Sequence, residues 1–191
     1  MLALCLVSGI AIGVEKVVPA FHGQDVTGAD YGRDFRLQDA SGQWRTPKDY
    51  RGKLVLMFFG FTQCPDVCPT ELQSMARLMD ALGKDAARIQ VLFVTLDPAR
   101  DTAAMIQSYV SAFNPGFVGL RGDEAATATV AKEFKVYYRK VPGSAPGRYS
   151  LDHSAFIYVL DGNGVLRLRI TPDLGIEAMK SDLLRLLVAA K

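Results

Sequence analysis

A chain of 191 residues with 49% hydrophobic and 22% charged side chains has the make-up of one compact domain, which excludes a disordered or fibrous protein. Its 22 basic and 20 acidic side chains leave a net charge of +2 without charge blocks, which excludes the basic footprint of a nucleic-acid binder. A domain of this size buries roughly 70% of its unfolded surface, so no disulfide framework or structural metal is needed, and the 3 cysteines are too few for one.

Residues 1–14 (MLALCLVSGIAIGV) are almost wholly apolar, with no charge before Glu15. They read as a signal-like segment or the outer part of a membrane anchor, short of the about 20 residues that span a bilayer. Gly9, Gly13 and the lack of a polar stripe argue against an amphipathic helix. Leu2-Ala3-Leu4-Cys5 is a weak lipoprotein pattern, because Leu4 is bulky where a small residue is wanted. Residues 15–33, with Pro19, Gly23 and Gly28, are expected to be a tether, and residues 34–191 the folded domain.

Within that domain, residues 35–37 and 44–46 flank Ser41-Gly42, a hairpin signal. Residues 54–59 (LVLMFF) form an unbroken apolar run, as in a central strand covered on both faces. GFTQCPDVCP follows, and then a helical pattern over residues 70–82 with Leu72, Met75, Leu78, Met79 and Leu82 on one face. Met75 and Met79 belong to that apolar face, so they are expected in the core rather than on a metal.

A second buried strand is expected over 89–96, a helix over 102–113, a short strand over 117–120 and a helix over 125–134. Strands alternating with helices indicate an α/β fold with a mostly parallel central sheet flanked by helices. Residues 136–139, a Gly/Pro loop at 142–147, and strands at 154–160 and 165–170 follow. The last two strands surround Asp161-Gly162-Asn163-Gly164 and should pair as a hairpin, before a final helix from about Leu174.

The chemistry concentrates at Cys64 and Cys68, four apart where a strand turns into a helix. That spacing lets both sulfurs share one face, near enough for a common ligand or a disulfide. Pro69 suits a first helical turn, where its missing N–H does no harm. The positive end of the helix favours thiolates, which are both nucleophiles and ligands. Two thiolates suit a soft ion such as Cu(I), and one imidazole would extend the set to hold Cu(II) as well.

Of the 2 histidines, His22 falls in the expected tether, whereas His153 precedes the apolar run SAFIYVL. Loops at one end of neighbouring parallel strands converge, so His153 could face the cysteines from 85 positions away. The plain alternatives are a structural disulfide or two buried thiols, and a hydrogen-bonded histidine ending a strand. Asp66, between the cysteines, is a turn residue that could orient a ligand or meet a partner.

Three segments in order, GFTQCPDVCPTEL, VTLDPARDT and DHSAFIYVLDGNG, resemble the Sco/SenC family of copper chaperones of cytochrome c oxidase, as does GLRGDEAATATVAKEFKVYYRKV between them. The resemblance covers most of residues 33–190 and implies a thioredoxin-like fold with an additional β-hairpin. It also implies one copper ion, Cu(I) or Cu(II), held by Cys64, Cys68 and His153. The implied function is delivery of copper to the dinuclear centre of oxidase subunit II, or reduction of that subunit's cysteines. The implied partners are subunit II, another copper chaperone and a thiol reductant. The implied place is the periplasmic side of an inner membrane, reached through the N-terminus.

The chain is thus read as a carrier rather than an enzyme. The enzymatic rival is a thiol-disulfide oxidoreductase in which Cys64 attacks and Cys68 resolves, although three residues rather than thioredoxin's two separate these cysteines. A redox or copper sensor would use the same residues. Cys68-Pro69-Thr70-Glu71 also resembles the sequence after a peroxiredoxin's peroxidatic cysteine, but Pro65 stands where that chemistry needs a threonine.

Overall fold

The computed structural model describes residues 20–145 and 147–189, so the apolar segment 1–14, with Cys5, lies outside the described residues. The strands are β1 (Gln24–Asp25), β2 (Leu37–Gln38), β3 (Trp44–Arg45), β4 (Leu54–Gly60) and, past the helix α1 (Val67–Leu82), β5 (Ile89–Thr95). Helix α2 (Ala103–Ser111), strand β6 (Val118–Leu120) and helix α3 (Glu124–Glu133) come next. The chain ends with β7 (Tyr138–Pro142), β8 (Tyr149–His153), β9 (Ile157–Leu160), β10 (Leu166–Ile170) and α4 (Ile176–Ala189).

Six strands form the central sheet in the order β1-β10-β9-β4-β5-β6. Every residue of β4 is buried, which is why its sequence is apolar without alternation, whereas β10 alternates buried and half-buried positions. Full burial of each large β4 side chain contributes about 1.5–3 kcal/mol, so the C-terminal end of β4 is a firmly held platform. Helix α1 packs against α4, and α2 against β6.

The α/β, thioredoxin-like class read from the sequence is the class observed, and β7–β8 supplies the additional hairpin. The sheet itself is mixed. β4–β5 and β5–β6 are parallel, but the closing β9–β10 hairpin lies antiparallel to β4, and β1 is antiparallel to β10.

Two local expectations need correction. The tether expected over residues 15–33 does not hold for its described part, because β1 is an edge strand on β10. The fully buried Asp182 of α4 accepts the amides of His22 and Gly23 at 3.0 and 2.8 Å, and His22 Nδ1 lies 2.9 Å from its other oxygen. The Gly32 amide donates to the Glu133 carbonyl at 2.8 Å, so the segment is tied down at both ends. The strand expected over 154–160 is also shorter, starting at Ile157, and the separate strand β8 precedes it. Exposed Ser150 and Asp152 hide β8 from a reading based on apolar runs.

Candidate metal centre

Beyond Gly60, Phe61 is buried and its carbonyl accepts the Cys64 amide at 3.2 Å, closing a turn that leaves the Cys64 side chain half-buried. Helix α1 then starts at Val67, which puts Cys68 in its first turn, fully buried. The first N–H groups of a helix have no partner within it. The Cys68 amide finds one in Cys64 Sγ at 3.4 Å, so the sulfur caps the helix start.

His153 reaches this turn from the end of β8, with Nε2 3.5 Å from Cys68 Sγ. Its Nδ1 lies 3.0 Å from the Ser154 carbonyl, which only accepts, so Nδ1 carries the proton and Nε2 presents a lone pair to the sulfurs. The rings of Phe58 and Phe61 stand edge-on to the imidazole at 6.3 and 5.9 Å and hold its plane. The sulfurs and an imidazole nitrogen thus lie within 4.8 Å of one another. Three donors at roughly 2.0–2.3 Å from one ion would sit roughly 3.5–4 Å apart, so small side-chain movements close the set.

Both cysteines are free thiols. The hydrogen bond from Cys68 is the largest influence on Cys64; with help from the amides of Cys68 and Asp66 it outweighs burial and holds the Cys64 thiol well below the ordinary thiol range. Cys68 moves upward, because it supplies that hydrogen bond and is buried. Cys64 is therefore a standing thiolate, and Cys68 keeps its proton until a metal or a reaction removes it. Alkylation of Cys64 by iodoacetamide is accordingly expected to be nearly independent of pH between 6 and 9, with Cys68 unreactive. Peptide mapping of the alkylated sites checks this. A rise of about tenfold per pH unit at Cys64, as for an ordinary thiol, would contradict it.

Gly60 matters through space rather than backbone freedom. A Cβ there would stand 2.7 Å from Cys68 Sγ, with the Phe93 and Phe58 rings at 3.0 and 3.2 Å leaving nowhere to retreat. Gly60→Ala is expected to cost about 1–3 kcal/mol of stability, read by chemical denaturation, and to displace the Cys68 sulfur. Unchanged stability would show that the sulfur is not wedged as described.

Of the other residues singled out, Met75 is fully buried and Met79 partly so against the core, as expected of that helix face. Asp66 is exposed at the helix start and makes no side-chain cap. His22 is committed to Asp182, away from the cysteines. A sequence reading missed the buried carboxylates Asp97 and Asp101. The signal was in VTLDPARDT, where two acids follow an apolar strand too closely to be ordinary surface residues. Asp101 accepts the amide and hydroxyl of Thr62 at 3.0 and 2.6 Å and the Thr95 hydroxyl at 2.6 Å, tying the cysteine turn to β5.

The profile of the SCO1/SenC family matches residues 23–188. The SCO2-like protein of Rickettsia felis is 42% identical over 134 residues, covering 70% of this chain and 65% of that protein. The mitochondrial SCO2 homolog of Danio rerio is 40% identical over 134 residues, covering 69% of this chain and 48% of that protein. The match thus spans less than two thirds of either relative. The copper-bound structure of Bradyrhizobium japonicum ScoI superposes with a TM-score of 0.75 at 41% identity, covering 82% of this chain and 99% of that one.

Proposed function

This chain belongs to the SCO1/SenC family, and we propose on that premise that it carries one copper ion on Cys64, Cys68 and His153. The Sco family acts in cytochrome c oxidase assembly, and the cargo's destination on this reading is the dinuclear copper centre of oxidase subunit II. The observation that carries the reading is the convergence of two sulfurs and an imidazole nitrogen, none of them committed to a structural disulfide or ion pair, within 4.8 Å.

Each residue has a distinct part. The Cys64 thiolate, half-exposed at the mouth of the turn, meets the incoming ion first. Cys68 then gives up its proton and closes the pair from inside. His153 Nε2, free of a proton because Nδ1 holds it, completes the set. A Cys64–Cys68 disulfide has no thiolates to offer, so the redox state of the pair gates loading.

The difference in exposure and acidity between the thiols also supports a second use of the same pair. The Cys64 thiolate would attack a disulfide on subunit II, forming a mixed disulfide and releasing one subunit thiolate. Cys68, deprotonated, would then attack the Cys64 sulfur, freeing the subunit's second thiolate and leaving a Cys64–Cys68 disulfide for a thiol reductant to restore.

Among the described residues no helix is long and apolar enough to cross a membrane. Attachment through residues 1–14 at the periplasmic side of an inner membrane is part of the proposal, supported by their apolar sequence. Gene deletion tests the function. Loss of oxidase activity restored by added copper or by the wild-type gene, but not by Cys64→Ser, is the expected result. Normal oxidase assembly with altered gene regulation would replace delivery with sensing.

A further inference from the structure

We propose that Arg100 is the positioning residue of this centre, clamping the β7–β8 ribbon onto the cysteine turn and thereby setting the reach of His153 to the sulfurs. The consequence for copper rests on the function proposed above; the clamp itself belongs to the metal-free protein.

The ribbon needs a fastening. It pairs with no strand of the central sheet, and half of its residues are exposed with only Leu151 fully buried. Two strands alone are marginally stable in water. In β8, alternate residues share a face, so Tyr149, Leu151 and His153 turn inward while Ser150 and Asp152 face solvent. Leu151 enters the core, and Tyr149 and His153 stand at the two ends of this inner face.

Arg100 holds the Tyr149 end. Its guanidinium lies 3.7 Å from the centre of the Tyr149 ring, and Nη1 donates to the Tyr149 carbonyl at 2.9 Å. The same Nη1 donates to Gln63 Oε1 at 3.2 Å, beside Cys64, and Nε pairs with Asp97. The Tyr149 hydroxyl donates to the other oxygen of Asp97 at 2.7 Å. One planar cation thus joins the loop after β5, the ribbon and the cysteine turn, which the single ammonium of a lysine cannot do.

The mounting is rigid. Asp97 is buried, and its amide donates to Thr95 Oγ1 at 3.0 Å; Thr95 in turn donates to Asp101, the carboxylate that grips Thr62. The other ion pairs of the ribbon, Arg139–Asp152 and Lys140–Glu124, are exposed and contribute little, and Lys140 Nζ stands farther from the Tyr149 ring than Arg100, at 5.1 Å.

The test compares full-length, reduced, metal-free wild type with Arg100→Lys and Tyr149→Phe, with Arg139→Ala as control. Arg100→Lys keeps a cation against buried Asp97, so the protein folds even if Arg100→Leu does not. NMR amide exchange at Tyr149–His153 is expected to quicken by about tenfold or more in Arg100→Lys, and less in Tyr149→Phe. The cross-relaxation between the His153 and Phe61 rings weakens, and the amides of β4 and β5 keep wild-type exchange.

In copper titrations Arg100→Lys loses roughly 10–100-fold in Cu(II) affinity, as for loss of an outer support of a ligand, with an altered charge-transfer band and little change for Cu(I). Wild-type exchange and ring contacts in Arg100→Lys would overturn the clamp, leaving Leu151 and the ladder to place the ribbon. Equal quickening throughout β4 would overturn it too, since Arg100 would then serve general stability. If wild type binds no copper, the function proposed above falls while the metal-free measurements still decide the clamp.

Discussion

Cys68→Ser is expected to abolish tight binding of copper in either oxidation state while the protein stays folded. The sulfur is fully buried and wedged against Gly60, so serine fits the space. Its hydroxyl stays protonated near neutral pH and is a poor ligand for a soft ion. Affinity should fall on the order of 10³-fold or more for Cu(I), read by competition with a chelator while circular dichroism confirms the fold. Cys64→Ser should behave alike, and also leaves the Cys68 amide with a weaker acceptor at the helix start. Retention of wild-type affinity by both single variants would remove the sulfurs from the centre.

His153→Ala is expected to separate the two oxidation states. Thiolates dominate the binding of soft Cu(I), whereas the harder Cu(II) gains more from an imidazole. Cu(II) affinity should drop roughly 10–100-fold and Cu(I) affinity by less than about threefold. The imidazole sits half-buried at the end of a peripheral ribbon, against Phe58 and Phe61 but outside the central sheet, so the fold should survive. Equal loss for both ions, or none for either, would contradict the role given to Nε2.

Much of this centre is legible in the sequence because its decisive part is local. Cys64, Cys68 and Pro69 lie within six residues, between a strand that must be buried and a helix whose apolar face is periodic. Fully buried β4, β5 with all but Gln90 buried, and the turn-centred β9–β10 hairpin announce themselves for the same reason: their burial and turn chemistry are written in consecutive residues. His153 stands out because histidine is rare in this chain and because the resemblance to a family points to it.

What stays hidden depends on partners far along the chain. The β1 edge strand is two exposed polar residues, held by register on β10 and by Asp182 some 160 positions away. Strand β8 alternates, but its polar outer face and its separation from the sheet give no apolar run to recognise. The direction of β9 against β4 follows from how the chain returns after the ribbon, which periodicity does not encode. Arg100 and Tyr149 are each unremarkable in sequence, and their link through Asp97 appears once the fold brings the three together.

The central claim is that Cys64, Cys68 and His153 form one copper site. It is tested most directly by reducing the full-length protein without oxygen, adding one equivalent of Cu(II), and recording optical and EPR spectra beside His153→Ala. An intense sulfur-to-Cu(II) charge-transfer band with nitrogen hyperfine structure, altered in the variant, is the predicted result. No stoichiometric copper binding by a protein with both thiols free would contradict the claim and leave the pair to thiol-disulfide exchange alone.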